Sequence, residues 1–287
     1  MRLLKLFKFA QNLFTWLKAV EVLRRNRKEL QINPDRIFDA VERASLRVKT
    51  GPAWIKEALP FTIKFKSLLT RVEPYNLIRI GRNGDGGYII PSFNYDKLIT
   101  IGVGKEFSFE RDDFLTNTKI TMFDHTIHSP SSLPENIKFF KKGIGEASEG
   151  SLMTFDDICA HSKINAEERN ILKVDIEGAE YDVFENSKFS AFSVLVFEIH
   201  WLEKVFYSDK INKLENLIQI LLAEHEIVHV HANNWGKLFN FANIVLPDIV
   251  ELTLVRRIDL ASLSNKTKQG SQDFPCRPDF PEIWPAS

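Results

Sequence analysis

The chain has 287 residues, enough to bury one large hydrophobic core or two modest ones. Its 38 basic residues balance 38 acidic residues, so overall charge excludes a protein that binds nucleic acid through a strongly basic surface. Two cysteines without a CxxC pair exclude a zinc ribbon and a disulfide scaffold, and they favour a reducing compartment.

Residues 1–28 are predicted to form an amphipathic helix. Apolar side chains share one face of the helical projection, lysines lie on the other, and Lys and Arg far outnumber the single acid Glu21. This pattern is typical of a helix lying on a membrane surface, although packing on its own globule or on a second subunit explains it equally well. The apolar stretch 9–17 is too short for a membrane span or a signal peptide. We therefore expect a cytoplasmic protein, peripheral at the inner face of the membrane.

The pattern stays helical between residues 33 and 71 and then changes to a β-hairpin. We predict a helical N-terminal extension over residues 1–72 and a catalytic domain over residues 73–287. Two short β-type runs, 77–80 and 88–90, flank a glycine-dense turn that predicts the hairpin. Arg82 and Asp85 in this turn are candidate substrate-binding residues, while the glycines have the plain alternative of permitting the turn.

Beyond Asp96, predicted strands alternate with predicted helices. The strands are 97–104, 119–124, 136–145, 171–176, 192–200, 226–232 and 249–257, and the helices include 154–161, 165–169, 179–186 and a long one ending near Glu224. This alternation predicts an α/β fold with a mostly parallel, doubly wound sheet and helices on both faces. The last two strands are expected to be antiparallel because no long helix joins them, and the tail after Asp259 is expected to run over the surface.

Six of these strands end in glycine or polar residues. Because ligands of doubly wound sheets bind at the carboxyl ends of the strands, we expect these residues to form one site. They are Gly102 and Gly104, Asp124, Gly143 to Gly145, Asp175 to Gly178, Glu198 to His200, and His229 to His231 followed by Asn233.

The first of these strand ends predicts a nucleoside cofactor. Gly102 and Gly104 let the backbone approach a ligand, although such a pair is also common as a tight strand exit. Asp124, about twenty residues on, suits a ribose hydroxyl. The third glycine of the dinucleotide fingerprint falls on Phe107, which disfavours nicotinamide and flavin and favours a mononucleoside such as S-adenosylmethionine.

The fourth predicted strand carries a recognisable motif. The run ILKVDIEGAEYDVF (171–184) resembles the K-x-D-x-E-G-x-E signature of the FkbM family of S-adenosylmethionine-dependent methyltransferases, through Lys173, Asp175, Glu177, Gly178 and Glu180. RIGRNGDGGYII, LMTFDDI, FEIH and HVHANN are further matches, and the resemblance spans about residues 77–257. Two positions depart from methyltransferases of this fold: Thr100 stands where an acid is common, and Glu106 where a third glycine is common.

The resemblance implies a Rossmann-like class I methyltransferase that passes a methyl group from S-adenosylmethionine to a sugar hydroxyl of a glycan, either a lipid-linked or a cell-surface polysaccharide. His200, Asp175 and Glu198 are the candidate catalytic residues, with His200 as the proton acceptor and a core histidine as its alternative. The expected cofactor-binding residues are Gly102, Gly104, Lys105, Asp124, Ile144 and Asp175. The expected substrate-binding residues are Glu177, His231, Asn233, Arg82 and Asp85.

Three alternatives remain open at this point. Asp175, Glu198, His200 and His231 are possible ligands of a divalent ion, but the sequence lacks a close pair of ligands on one helix, so no metal is predicted. An NAD-dependent sugar-modifying oxidoreductase and a non-catalytic glycan-binding module are the rival functions. The expected partners are a saccharide and a membrane surface contacted through residues 1–28, and the oligomeric state is undetermined.

Overall fold

The computed structural model describes residues 52–70, 75–263 and 273–283. The predicted amphipathic helix of residues 1–28 and its membrane contact lie outside these ranges. Within them, no helix has both the length and the apolar character needed to cross a bilayer. The boundary between extension and catalytic domain, placed after residue 72, stays a prediction.

The described ranges contain five α-helices and two 3₁₀ helices. The α-helices are α1 (Pro52–Leu69), α2 (Phe155–His161), α3 (Glu180–Val183), α4 (Leu202–Phe206) and α5 (Ile211–Glu224), and the 3₁₀ helices are Asp113–Leu115 and Arg257–Ser262. Thr154 caps α2, since its hydroxyl accepts a hydrogen bond from the amide of Asp157 at 3.2 Å. Asp156 and Asp157 lie in the first turn, where the helix dipole favours acids.

Thirteen strands are described in the same ranges. They are β1 (Leu77–Ile80), β2 (Tyr88–Pro91), β3 (Lys97–Ile101), β4 (Lys119–Phe123), β5 (Ile137–Phe140), β6 (Gly143–Ile144), β7 (Leu152–Met153), β8 (Asn170–Val174), β9 (Val194–Ile199), β10 (His225–Ala232), β11 (Leu238–Phe241), β12 (Ile244–Pro247) and β13 (Val250–Arg256).

Seven strands form the main sheet, in the order β10-β13-β9-β8-β3-β4-β5. The pairs formed by β9, β8, β3, β4 and β5 are parallel, whereas β13 is antiparallel to both of its neighbours. The predicted mostly parallel sheet is confirmed, and so is the antiparallel pairing of the last two strands. In this arrangement β3, β4, β8 and β9 all end at the same edge of the sheet, so the residues that follow them meet there.

Side chains along each strand alternate between two cores. On β8, Leu172 and Val174 face a core that includes residues of all five helices, while Ile171 belongs to a second core. The second core is covered by the β1–β2 hairpin and the segment around the first 3₁₀ helix, with Tyr88 and Phe109 at its centre. The sequence predicted helices on both faces. Among the described residues, the long helices lie on the first face, and the hairpin takes their place on the second.

Helix α1 packs into the first core. Phe61 and Phe65 contact Phe206 of α4, with ring centroids 6.2 Å and 5.8 Å apart. Trp54 donates a hydrogen bond from its indole nitrogen to the carbonyl of Phe206 at 3.1 Å. This helix therefore shares the apolar core of the sheet, because its buried aromatic side chains have their partners there.

Two predicted elements differ in the structure for local reasons. The third strand divides after Phe140, because the amide of Gly143 bonds the carbonyl of Ser151 and Gly143–Ile144 pairs with β7 outside the main sheet. Residues 165–169 form turns instead of a helix. The Asn165 side chain accepts a hydrogen bond from the amide of Glu167, a local bond that competes with helix formation.

The predicted long helix after β9 is divided into α4 and α5. Ser208 lies between them, and its hydroxyl bonds the carbonyl of Val205. The helix predicted over residues 179–186 is shorter, extending over Glu180–Val183 only. These differences leave the strand ends at the shared edge of the sheet unchanged.

Candidate active site

The glycine turn after β3 lies directly against the end of β8. Gly102 has a φ of +80°, and a Cβ placed on it would lie 1.7 Å from the carbonyl oxygen of Asp175. Only glycine fits there, because the backbone is left-handed and no side-chain atom has room. Gly104 also has a positive φ of +61°, but a Cβ there would meet no described atom within 4 Å. The turn thus packs against the end of β8 at Gly102 and has open space beside Gly104.

Asp124, which follows β4, holds the glycine turn in place. Its Oδ2 accepts hydrogen bonds from the amides of Val103 and Gly104, each at 2.9 Å. Its Oδ1 accepts from the amide and the hydroxyl of Thr126, at 2.7 Å and 2.6 Å. Burial opposes ionisation, but these hydrogen bonds lower the pKa of Asp124 to about 2. The carboxylate predicted to bind ribose is therefore already fully hydrogen-bonded to the protein.

Asp124 is expected to stabilise the fold in a pH-dependent way. Its folded-state pKa of about 2 lies below the ordinary value of 3.8. The stabilisation is therefore fully present above pH 4 and is lost as the pH falls toward 2. Asp124→Asn should lower the free energy of unfolding by about 2 kcal/mol near neutral pH, and the gap to wild type should close on acidification.

Denaturant titrations at several pH values measure the difference in unfolding free energy between Asp124→Asn and wild type. Asp113→Asn, which removes an exposed carboxylate from the neighbouring 3₁₀ helix, controls for the loss of one negative charge. A gap for Asp124→Asn that stays constant between pH 6 and pH 3 would contradict the prediction.

A row of charged residues crosses three strands beneath the hairpin. Glu198 on β9 lies opposite Glu251 on β13, and Glu251 lies opposite His231 on β10. Since cross-strand neighbours share a face, all three side chains point to the side of the hairpin. Asn233 donates to Glu198 at 2.8 Å and to Glu251 at 3.3 Å, which separates two carboxylates that would otherwise repel each other.

Asp175 extends this row toward the glycine turn. Tyr88 of the hairpin donates its hydroxyl to Glu198 at 2.9 Å and lies 3.5 Å from Asp175. Glu198 is 4 % exposed, whereas the Asp175 side chain is 30 % exposed and reaches solvent. Burial, together with the charges of Asp175 and Glu251, raises the pKa of Glu198 well above its ordinary value.

His200, which follows β9, points its ring into the same group of carboxylates. Its Nδ1 bonds the buried Glu180 at 2.7 Å, and its Nε2 lies 3.6 Å from Asp175 and from Glu198. Although burial opposes a charged ring, the surrounding carboxylates, Glu180 first, raise the pKa of His200 to about 10. At neutral pH the ring is an imidazolium. It therefore carries the proton that a general base would have to lack, which counts against the predicted role of proton acceptor.

Two strained residues border this cluster. Glu177 and Trp201 have φ values of +56° and +57°, a backbone region that few non-glycine residues adopt. The Trp201 indole donates to the carbonyl of Glu177 at 3.1 Å, and a Cβ on Gly178 would lie 2.7 Å from the Trp201 ring. Strain of this kind clusters at functional sites. It leaves the Glu177 side chain 73 % exposed and 3.8 Å from Nε2 of His200.

Lys173 lies behind the cluster on the hairpin side. The side chain is 3 % exposed, with its ammonium 3.6 Å from Glu110 and 5.0 Å from the centre of the Tyr88 ring. Burial opposes its charge, but the nearby carboxylates, Glu110 first, raise the pKa of Lys173. Thr100 donates its hydroxyl to Glu110 at 2.8 Å. The threonine found where an acid is common therefore hydrogen-bonds a member of the buried Lys173–Glu110 pair.

The hairpin turn brings one of its two candidate residues to the cluster. Asp85 accepts a hydrogen bond from the Trp235 indole, and burial and the charges of Glu251 and Asp175 raise the pKa of Asp85. Arg82 instead pairs with Glu106 at 2.9 Å. Glu106, which stands where related folds often have a third glycine, thus binds the hairpin turn through Arg82.

The C-terminal segment 273–283 covers the far end of the charged row. Cys276 is buried with its sulfur 3.4 Å from Glu251, and Glu282 contacts Nε2 of His231 at 3.2 Å. Asp273 contacts His229 at 3.0 Å. Most residues of this segment are exposed, in line with the expectation of a tail running over the surface. Cys276, Asp273 and Glu282 nevertheless contact side chains of β10 and β13.

Two predicted substrate residues are buried under this segment. His231 and Asn233 are each 2 % exposed, and His231 contacts Glu251 and Glu282. Burial opposes its charge, but Glu251, then Asp273 and Glu282, raises the pKa of His231 to about 9. Both residues hold carboxylates in place, and neither reaches open space where a sugar would bind.

The other predicted site residues divide into those that lie in this site and those that do not. A chain of contacts links Asp124, the Gly102–Gly104 turn, Asp175 and His200, as predicted from their positions at neighbouring strand ends. Lys105 lies exposed beside the turn. Ile144 is 8 % exposed and belongs to the helix-side core, so its side chain packs and does not line an open site.

The sequence analysis assigned no site role to four residues that complete the cluster: Tyr88, Glu180, Glu251 and Cys276. Glu180 was visible only as the last acid of the motif, and Glu251 only as an acid inside an apolar strand. Each is at most 7 % exposed. A buried ionisable group needs a partner, and this was the available signal.

The sheet order, the glycine turn after β3 and the acid after β4 define a Rossmann-like methyltransferase fold. The chain belongs to the FkbM methyltransferase family, whose model, described as a Methyltransferase FkbM domain, matches residues 70–228. The match ends within β10, so β13 and the C-terminal segment lie beyond it. Among solved structures, the Methanococcus jannaschii fibrillarin pre-rRNA processing protein is 13 % identical, with a TM-score of 0.35, covering 65 % of this chain and 84 % of that chain. A search of curated proteins found no match.

Proposed function

We propose that this methyltransferase uses S-adenosylmethionine to methylate a sugar hydroxyl of a glycan, on either a lipid-linked or a cell-surface polysaccharide. The observation that carries the proposal is the contact between the Gly102 turn and Asp175, beside Glu198 and His200. It brings a backbone surface open to a ligand next to groups able to hold a hydroxyl. Membership of the methyltransferase family supports methyl transfer and removes the NAD-dependent oxidoreductase alternative.

The residues around the turn fit a cationic nucleoside in two respects. The open side of Gly104 leaves room for a ligand against the backbone, and the surrounding carboxylates favour a positive charge. When bound, S-adenosylmethionine supplies a methyl group activated by a positively charged sulfur. Asp124 departs from this fit, because a ribose hydroxyl would have to share a carboxylate that already accepts four hydrogen bonds.

The acceptor hydroxyl is proposed to bind at the solvent side of the cluster, between Asp175 and Glu177. A sugar hydroxyl must lose a proton during methyl transfer, and a carboxylate within hydrogen-bond distance provides a route for it. Imidazolium His200 stabilises the negative charge near this position through its Nε2, 3.6 Å from Asp175. Glu180 keeps the ring oriented through Nδ1.

Two tryptophans near the site support a sugar as the acceptor. Trp201 is held against the Glu177 turn, and Trp235 is 55 % exposed and bonded to Asp85. Aromatic rings provide a flat apolar surface with a polar edge, which suits the face of a sugar ring. The proposed membrane contact of residues 1–28 would bring the enzyme to lipid-linked acceptors, and deleting those residues should shift the protein from membrane to soluble fractions.

Cofactor binding is tested with two glycine variants. Both Gly102→Ala and Gly104→Ala carry the left-handed strain of about 1–2 kcal/mol. Only Gly102→Ala places a Cβ 1.7 Å from the Asp175 carbonyl and displaces the turn from β8. In calorimetry with S-adenosylhomocysteine, both variants should bind at least about tenfold more weakly than wild type, a difference of about 1.4 kcal/mol. Gly102→Ala displaces the turn, and Gly104→Ala places a Cβ in the open space proposed for the ligand.

Wild-type affinity in both variants would contradict a cofactor at this turn, provided that both melt cooperatively. The acceptor is tested by incubating purified glycans with methyl-labelled S-adenosylmethionine and the enzyme. Label in a sugar ether supports the proposal. Tight glycan binding without transfer of label would favour the non-catalytic module instead.

A further inference from the structure

Nε2 of His200 makes no hydrogen bond among the described residues, whereas the other ring nitrogen does. His200 is 3 % exposed, and its Nδ1 is used by Glu180 at 2.7 Å. Nε2 instead lies 3.6 Å from Asp175 Oδ1 and 3.6 Å from Glu198 Oε1. These separations are too long for hydrogen bonds.

These two separations are slightly longer than those between ligands of one small cation. Ligand atoms about 2.1 Å from a metal are roughly 3.0 Å apart in octahedral and 3.4 Å apart in tetrahedral geometry. One ligand atom from each of Asp175, Glu198 and His200 lies within 4.8 Å of the others. An inward movement of the side chains would bring all three ligand atoms onto one ion.

We propose that Asp175, Glu198 and His200 form a binding site for a divalent first-row metal ion. Its place in catalysis rests on the proposed function: the ion would hold the acceptor hydroxyl and favour loss of its proton. The metal site itself stands on geometry alone. The sequence disfavoured it because the ligands follow two neighbouring strands, β8 and β9, and no helix presents them as a pair.

Outer-sphere groups already orient the three ligands. Glu180 fixes the His200 ring through Nδ1, the arrangement in which a carboxylate supports a metal-binding imidazole. Asn233 and Tyr88 donate to the two oxygens of Glu198, at 2.8 Å and 2.9 Å. Tyr88 also lies 3.5 Å from Asp175. The ligand atoms are thus held by buried partners that do not compete for the space between them.

The local charge favours a cation. Five carboxylates surround the position, those of Asp175, Glu177, Glu180, Glu198 and Glu251. Lys173 also faces them, but it neutralises Glu110 as well. The ion would take the place of the proton on Nε2 of His200, since a ligating nitrogen must be deprotonated. A divalent ion would offset the remaining negative charge, and the partly exposed Asp175 leaves a side open to a hydroxyl.

The ligand set indicates the kind of ion. Two carboxylates and one imidazole suit Mn²⁺, Fe²⁺ or Zn²⁺ better than Ca²⁺, which takes six to eight oxygen ligands. His231 is not a further ligand, since its two nitrogens contact Glu251 and Glu282. Mn²⁺ is a suitable probe because its electron paramagnetic resonance signal reports binding without an assay of activity.

The test titrates Mn²⁺ into the metal-free full-length protein without S-adenosylmethionine. The wild type should bind one ion, and His200→Gln, Glu198→Gln and Asp175→Asn should each bind at least about tenfold more weakly. Asp175→Asn is the variant least prone to disturb folding, since its side chain is the most exposed of the three ligands. Asp85→Asn removes a nearby carboxylate that is no ligand, and its affinity should stay within a few-fold of wild type.

Each outcome is decisive. Equal Mn²⁺ affinity in wild type and Asp175→Asn, or an absence of binding to the wild type at millimolar Mn²⁺, overturns the metal site. Full methyl transfer in excess chelator overturns the role of the ion in catalysis, while the proposed function survives. Mn²⁺ binding that depends on the three ligands, in a protein that binds no S-adenosylhomocysteine, supports the metal site and contradicts the proposed function.

Discussion

Replacing Asp175 by asparagine is expected to lower kcat for methyl transfer by about 10²- to 10⁴-fold. The substitution keeps the size of the side chain and removes its charge. Asp175 is the carboxylate that both adjoins the Gly102 turn and reaches solvent, so no other described acid can take its place at the cofactor. Neither binding of the acceptor hydroxyl nor removal of its proton can proceed normally without that charge.

Steady-state kinetics and calorimetry with S-adenosylhomocysteine together check this prediction. A loss in kcat with cofactor affinity within about tenfold of wild type locates the effect at the acceptor. Asp85→Asn, at the opposite rim, should change KM more than kcat, because it lies in the turn that faces Trp235. A kcat for Asp175→Asn within a few-fold of wild type would contradict the assignment of the cluster as the catalytic site.

Removing Glu110 is expected to cost about 3–5 kcal/mol of unfolding free energy. Lys173 and Glu110 are both almost completely buried, with side chains 3 % and 1 % exposed. Glu110→Ala leaves the ammonium without its ion-pair partner beneath the Tyr88 ring. An isolated buried charge is costly, and the hairpin that covers it should loosen as a result.

Denaturant unfolding measures this cost against two other variants. The double variant Lys173→Met with Glu110→Leu should recover most of the lost stability, because apolar side chains of similar volume replace the pair. Lys213→Ala, which breaks a surface pair with Asp182 whose lysine side chain is 45 % exposed, should cost no more than about 1 kcal/mol. A Glu110→Ala variant no less stable than Lys213→Ala would show that Lys173 is not charged in the folded protein.

The strands and their shared edge were predictable because they depend on local patterns. Apolar runs ending in glycine or acid placed β3, β4, β8 and β9, and parallel pairing then brings their ends together whatever lies between them. The contact chain from Asp124 through Gly102 and Asp175 to His200 follows from that topology. Two element predictions were wrong for local reasons as well. The Asn165 side chain bonds a nearby amide in place of a helix, and the Gly143 backbone pairs with Ser151 outside the main sheet.

The sequence alone therefore determined the methyltransferase fold, the edge of the sheet where the site lies and most of the acids found there. Only the tertiary structure decided what each side chain faces. The register of β13 placed Glu251 between Glu198 and His231, and the C-terminal segment buried His231. Four carboxylates around His200 give its ring a charge that no spacing could predict, because charge depends on burial and on neighbours distant in the chain.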